Sequence, residues 1–208
     1  MSSHDRRSVR IDGLTIEYDD RVLEPRPWTA MQSQWAVELL ETAPEGGVLE
    51  LCTGAGHIGL LVVAATQRRL VAVDLNPVAC SFARLNAEGA GIEHRVEVRE
   101  SELTAAVRPD ERFALVLADP PWVPSDQVET YPEDPTIAID GGPVGLDVAR
   151  SCVATAVPCT APGASLLLQL GTDAQADEIA EQALATGNWT DGGRRTAPRG
   201  VVLRLVRT

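Results

Sequence analysis

No lysine occurs in this chain, and its scarce residues exclude as much as its abundant ones suggest. All eighteen basic side chains are arginine, against thirty acidic ones, for a formal charge of −12. Such a surface repels phosphate backbones unless basic residues cluster locally. The pairs Arg6-Arg7, Arg68-Arg69 and Arg194-Arg195 are too short to form a nucleic-acid stripe, which counts against a nucleic-acid substrate. Four cysteines (Cys52, Cys80, Cys152, Cys159) show no CxxC spacing, and the three histidines are scattered. No metal site follows from them, and reduced thiols are expected. The longest apolar run, from Gly59 to Ala65, is far too short to span a membrane. Met1 to Arg7 leads into no apolar signal segment, so a cytoplasmic location is expected. There is no repeat, no low-complexity tract and no dividing linker, so residues 1–208 read as one domain.

Two alternating segments open the chain, Ser8-Ile11 and Leu14-Tyr18, with Asp12-Gly13 as a hairpin turn between them. Pro25 to Thr29 breaks the pattern, and Ala30 to Glu41 reads as a helix with Thr29 as its N-cap. Beyond this, apolar strands alternate with helical patterns. Strands are expected at Val48-Cys52, Leu70-Asp74, Val96-Arg99, Phe113-Ala118 and Ser165-Leu170. Helices are expected at Ile58-Thr66, Pro77-Glu88, Leu146-Val157 and Asp173-Ala185. That alternation argues for an α/β fold, a doubly wound, mostly parallel sheet covered on both faces. Trp189-Arg195 and Val201-Val206 read as an antiparallel pair closing one edge.

In such sheets ligands lie beyond the carboxyl ends of the strands. Four segments fall there: Thr53-Gly59, Asp74-Asn76, Ser101-Leu103 and Asp119-Trp122. In Asp119-Pro120-Pro121-Trp122 two prolines donate no N–H and leave outward-facing carbonyls. With the acid and the indole they suit a planar group bearing an NH2, either an amide or a base amine. Gly54 and Gly56 allow a tight turn and close ligand approach, which also fits a dinucleotide pyrophosphate. Glu50, just ahead of them, opposes a pyrophosphate and favours a ligand with an ammonium group, such as S-adenosylmethionine. Asp74 is placed to accept from ribose hydroxyls, and Ser101-Glu102 to receive an adenine amine.

Together these residues resemble the class I S-adenosylmethionine-dependent methyltransferases. More narrowly, they are similar to the catalytic domain of the glutamine methyltransferases that modify peptide-chain release factors. The similarity runs from about Val22 to about Gly171. Val22 to Thr29 resembles that family's Pro-Arg-Pro segment, which lies over the cofactor. Glu50 to Gly56 is similar to its Asp/Glu-Leu-Gly-Thr-Gly-x-Gly loop, with Cys52 at a usual glycine. Asp74 through Ala87 resembles its ribose-binding strand end and helix, and Ser101-Glu102-Leu103 its Ser-Asp-Leu. Glu133 to Leu146 looks like its Glu-Pro-x-x-Ala-Leu-x-Gly-Gly-x-x-Gly-Leu segment, which generic methyltransferases lack. Two departures stand out. Asp119 and Trp122 replace the asparagine and tyrosine of Asn-Pro-Pro-Tyr, as in enzymes acting on base amines, and only a short hairpin precedes the Pro-Arg-Pro segment, where the bacterial enzymes carry a helical recognition domain.

The resemblance implies a Rossmann-like, seven-stranded sheet: a hairpin extension over residues 1–24 and a catalytic core over residues 25–208. It implies S-adenosylmethionine as cofactor, bound by Thr29, Glu50, Thr53, Gly54, Gly56, Asp74, Leu75, Ser101, Glu102 and Asp119. Asp119, Pro120, Pro121 and Trp122 are the expected catalytic residues, acting on a protein glutamine amide. Other acceptors stay open: a base amine in RNA or DNA, or a small amine-bearing metabolite. A small partner subunit is a further expectation. Outside enzymology, the chain would be a catalytically silent cofactor-binding subunit.

Overall fold

The structure, a computed structural model, describes residues 4–208. Its main sheet contains β3 (Gly47–Leu51), β4 (Leu70–Asp74), β5 (Val96–Glu100), β6 (Phe113–Ala118), β7 (Thr160–Leu170), β8 (Trp189–Thr196) and β9 (Val201–Arg207). The spatial order is β5-β4-β3-β6-β7-β9-β8. Pairing is parallel from β5 through β7, and antiparallel at β7–β9 and β8–β9. Chain order therefore reverses between β3 and β6, the switch point at which doubly wound sheets open a crevice. In-register pairs Leu51↔Val73 and Leu51↔Ala118 bring the residues after β3, β4 and β6 out on one rim.

Alternation along β3 divides the core. Leu49 and Leu51 face the side covered by α5 (Asp147–Cys159) and α6 (Asp173–Ala185). Val48 joins α1 (Ala30–Leu40) and α2 (His57–Ala65) on the other face. Every residue of β6 is buried, as a central strand covered on both faces requires.

The hairpin β1 (Arg7–Ile11) and β2 (Leu14–Tyr18) forms its own two-stranded sheet. Asp12 and Gly13 both have positive φ, 43° and 92°, as a tight hairpin turn demands. Asn86, on α3 (Pro77–Gly89), joins this hairpin to the glycine loop. Its Oδ1 accepts from Glu17 N–H, and its Nδ2 donates to Glu17 O at 3.0 Å and Ala55 O at 2.9 Å.

Several local expectations need correction. Thr29 does not cap α1: it has helical φ and ψ of −72° and −12°, and its side chain makes no capping bond. Pro27, whose ring presets a helical φ, opens a 3-10 turn that runs straight into the helix. Strand β3 ends at Leu51, because Cys52 turns into the left-handed region at φ 59°. Strand β7 starts at Thr160, five residues early, because an irregularity opposite Phe113–Leu115 absorbs Pro162 and Gly163 within the ladder. Among the described residues no helix is long and apolar enough to cross a membrane, and no cluster could hold a metal ion.

Candidate active site

Two cavities open on the rim. The first, about 620 Å³, is bounded by the glycine loop, the ends of β4 and β5, and the chain before α1. Thr29, Thr53, Gly54, Asp74 and Leu75 line it, together with Ser101, Glu102, Asp119 and Pro121. The second, about 440 Å³, is lined by Asp119, Pro120 and Trp122, with Trp28, Tyr131 and Arg199. Asp119 and Thr29 belong to both walls. Gly56 and Glu50 line neither.

Three acids gather under the first cavity. Asp74 Oδ2 accepts from Gly54 N–H at 2.7 Å and its Oδ1 from Asn76 N–H at 2.9 Å, fixing the glycine turn against β4. Burial raises its pKa above the ordinary value. Gly54 has φ 55° and nothing within 4 Å of where a Cβ would stand, so its backbone faces open space.

Glu50 departs from its expected role. Its carboxylate points into the core, accepting from the Thr53 hydroxyl and, at 3.0 Å, from Gly59 N–H on α2. Burial pushes its pKa up to about 8, and the negative charges of Asp119 and Asp74 add to the effect. It braces the loop from beneath and offers no oxygen to the cavity. Held largely protonated near neutral pH, it adds little charge to the cavity floor.

Asp119 differs from the other two. Its N–H continues the ladder to Leu51 O, but its carboxyl forms no hydrogen bond among the described residues. Burial pushes its pKa up to about 7, and the surface it retains faces the two cavities. The Pro120 carbonyl likewise accepts no backbone hydrogen bond among the described residues. Asp119 and Pro120 thus adjoin on the wall of the second cavity, and Asp119 also lines the first.

The Gly141–Gly145 segment packs behind this tetrapeptide. A Cβ on Gly145 would come within 2.2 Å of Trp122 O, and one on Gly171 within 2.3 Å of the Trp122 ring. Gln175 of α6 locks the arrangement. Its Nε2 donates to Trp122 O at 2.9 Å and Gly145 O at 3.3 Å, and its Oε1 accepts from Gly171 N–H. Arg26 ties the Pro-Arg-Pro segment to Asp134 through two hydrogen bonds, at 2.9 and 3.2 Å.

Sequence reading missed Gln175 and His57. The Thr29 hydroxyl gives its one hydrogen to Arg26 O at 2.6 Å, so it accepts from His57 Nε2–H at 2.7 Å. Burial pushes His57 down to about 4, keeping it neutral. Its place directly after Gly56, opening a helix at the glycine loop, was the available signal. Gln175 carried none, since a glutamine on a polar helix reads as solvated.

The sheet order, the glycine turn and the acid ending β4 are those of the class I methyltransferase fold. The methyltransferase small-domain family model matches residues 31–132. The release factor glutamine methyltransferase of Deinococcus radiodurans is 38% identical over 167 residues, covering 78% of this chain and 59% of that protein. The ribosomal protein uL3 glutamine methyltransferase of Burkholderia pseudomallei is 27% identical over 180 residues, covering 80% and 59%. The chain thus spans about three fifths of the length of such curated relatives. Among solved structures, the T. thermophilus 16S rRNA methyltransferase in complex with AdoMet and guanosine shares the fold at TM-score 0.73 and 17% identity, covering all of this chain and 52% of that one.

Proposed function

We propose that this chain methylates the side-chain amide nitrogen of a protein glutamine, using S-adenosylmethionine. The observation that carries this reading is the Asp119 carboxyl, unpartnered and shared by both cavities. The glutamine methyltransferases named among its relatives support an amide over a base amine. Those relatives modify translation proteins, which supports a cytoplasmic site of action.

The first cavity fits the cofactor: an exposed Gly54 backbone and Asp74 at a strand end. Gly54, Asp74, Leu75, Ser101 and Glu102 would hold it, with Thr29 and Asp119 closing the far side. Bound there, S-adenosylmethionine supplies an electrophilic methyl group.

The protein's own residues prepare the acceptor. An amide nitrogen is a poor nucleophile because its lone pair is delocalised. Asp119 and the Pro120 carbonyl accept the two N–H hydrogens, orienting the lone pair toward the first cavity and favouring positive charge developing on nitrogen. Trp122 forms a flat wall for the amide plane. Asp119, at about 7, is matched to take the proton released from nitrogen near neutral pH. His57 and Thr29 hold the Pro-Arg-Pro segment against the glycine loop.

The test is methyl transfer from labelled cofactor to glutamine-containing peptides, located by mass spectrometry. Asp119→Ala should lower turnover by roughly 10²- to 10³-fold, as loss of a positioned polar group does, with cofactor affinity retained. Full turnover in that variant would remove Asp119 from the mechanism.

A further inference from the structure

One cation at the second cavity is not consumed by the protein. Arg199 lies in the turn Ala197-Pro198-Arg199-Gly200 between β8 and β9, closed by Ala197 N–H donating to Gly200 O at 3.1 Å. Pro198 presets its own φ and Gly200 takes the positive φ, 90°, that the turn demands. The turn therefore presents Arg199 from a fixed backbone. Its guanidinium lies 5.9 Å from the Trp28 ring centroid, where a flat cation is attracted by the indole face.

Arg26 also lies over Trp28, at 5.8 Å, but it is spent on Asp134. Arg199 forms no ion pair among the described residues, although Glu133 lines the same cavity. Of the two arginines lining this cavity, Arg26 is thus paired and Arg199 is not. Arg199 is exposed, so it marks the open end of the cavity, while Asp119 lies half-buried at the junction with the first. The two ends ask for opposite groups. Asp119 takes N–H donors, and a guanidinium held over an aromatic ring offers its N–H edge to an oxygen anion.

We infer that Arg199 is a specificity residue that binds a carboxylate on the acceptor, so the preferred acceptor is a peptide with an acidic residue flanking the target glutamine. This rests on the glutamine reading above.

The experiment compares two synthetic peptides under labelled cofactor, one with aspartate beside the glutamine and one with serine, and adds a third with arginine there for the charge-reversal variant. The wild-type protein should favour the acidic peptide by about tenfold in kcat/KM, the scale of one charged hydrogen-bonded contact. In Arg199→Gln the ratio should collapse to about one. In Arg199→Glu it should reverse, with a peptide carrying arginine beside the glutamine now favoured. Arg199 is exposed, so these variants fold. Equal use of both peptides by wild type, or an unchanged preference in Arg199→Gln, overturns the inference and leaves glutamine methylation standing. No methylation of any peptide, with label entering nucleic acid or a small metabolite when cell extract is added, overturns both.

Discussion

Replacing Asp119 with asparagine keeps the side chain's size and removes its ionisation. Burial pushes this carboxyl from 3.8 to about 7, so the folded protein holds the proton over a pH range where the unfolded chain has lost it. The folded state therefore binds more protons between about pH 4 and 7, and stability falls as pH rises through that window. A rise of this size corresponds to at most about 4 kcal/mol. The side chain keeps some exposure to the cavities, so water screens part of the cost and about 1–2 kcal/mol is expected. Asp119→Asn should then match wild type near pH 4 and exceed its stability at pH 8, measured by urea unfolding. Activity should run the other way. If the ionised form serves as acceptor, wild-type kcat rises about tenfold from pH 6 to pH 8, following the ionised fraction. Asparagine, which does not titrate, should give a flat profile. Parallel pH profiles for the two proteins, in both stability and kcat, would refute the reasoning.

Three further outcomes follow from the geometry. Asp74→Ala removes the acceptor that fixes Gly54 and faces the first cavity, and should weaken S-adenosylmethionine binding by roughly 10- to 100-fold in calorimetry. Unchanged affinity would rule that role out. Glu50→Ala strands Gly59 N–H and the Thr53 hydroxyl in the core and should cost about 2–4 kcal/mol in thermal unfolding; a neutral result would contradict the bracing role. Gly171→Ala puts a methyl within 2.3 Å of the Trp122 ring and must displace the indole. Acceptor kcat/KM should fall about a hundredfold with cofactor affinity intact, and normal acceptor kinetics would show that Trp122 is no wall of the site.

The rim of the sheet was legible in the sequence because strand ends carry distinctive residues there: glycines after β3, aspartate at β4, prolines after β6. Strand alternation and the apolar run of β6 gave the layered architecture for the same reason. What stayed hidden depends on partners distant in the chain. The direction of the Glu50 carboxylate is set by Gly59, nine residues on, which seats it under α2. The part played by Gln175 depends on Trp122, 53 residues away, and that of His57 on Thr29. Thr29 was misread because the identity of a capping residue does not reveal its dihedrals, and Pro27 had already started the helical turn. The strand was expected to begin only at Ser165, whereas pairing with β6 carries it back through Pro162-Gly163 to Thr160.

The central claim is that the second cavity presents an amide nitrogen to a methyl donor held in the first. Its most direct test is the destination of label: methyl-labelled S-adenosylmethionine, purified protein and fractionated cell extract, followed by digestion and mass spectrometry. The account predicts label on a glutamine side-chain nitrogen in protein, lost in Asp119→Ala. Label confined to nucleic acid, or to a base amine, would contradict it.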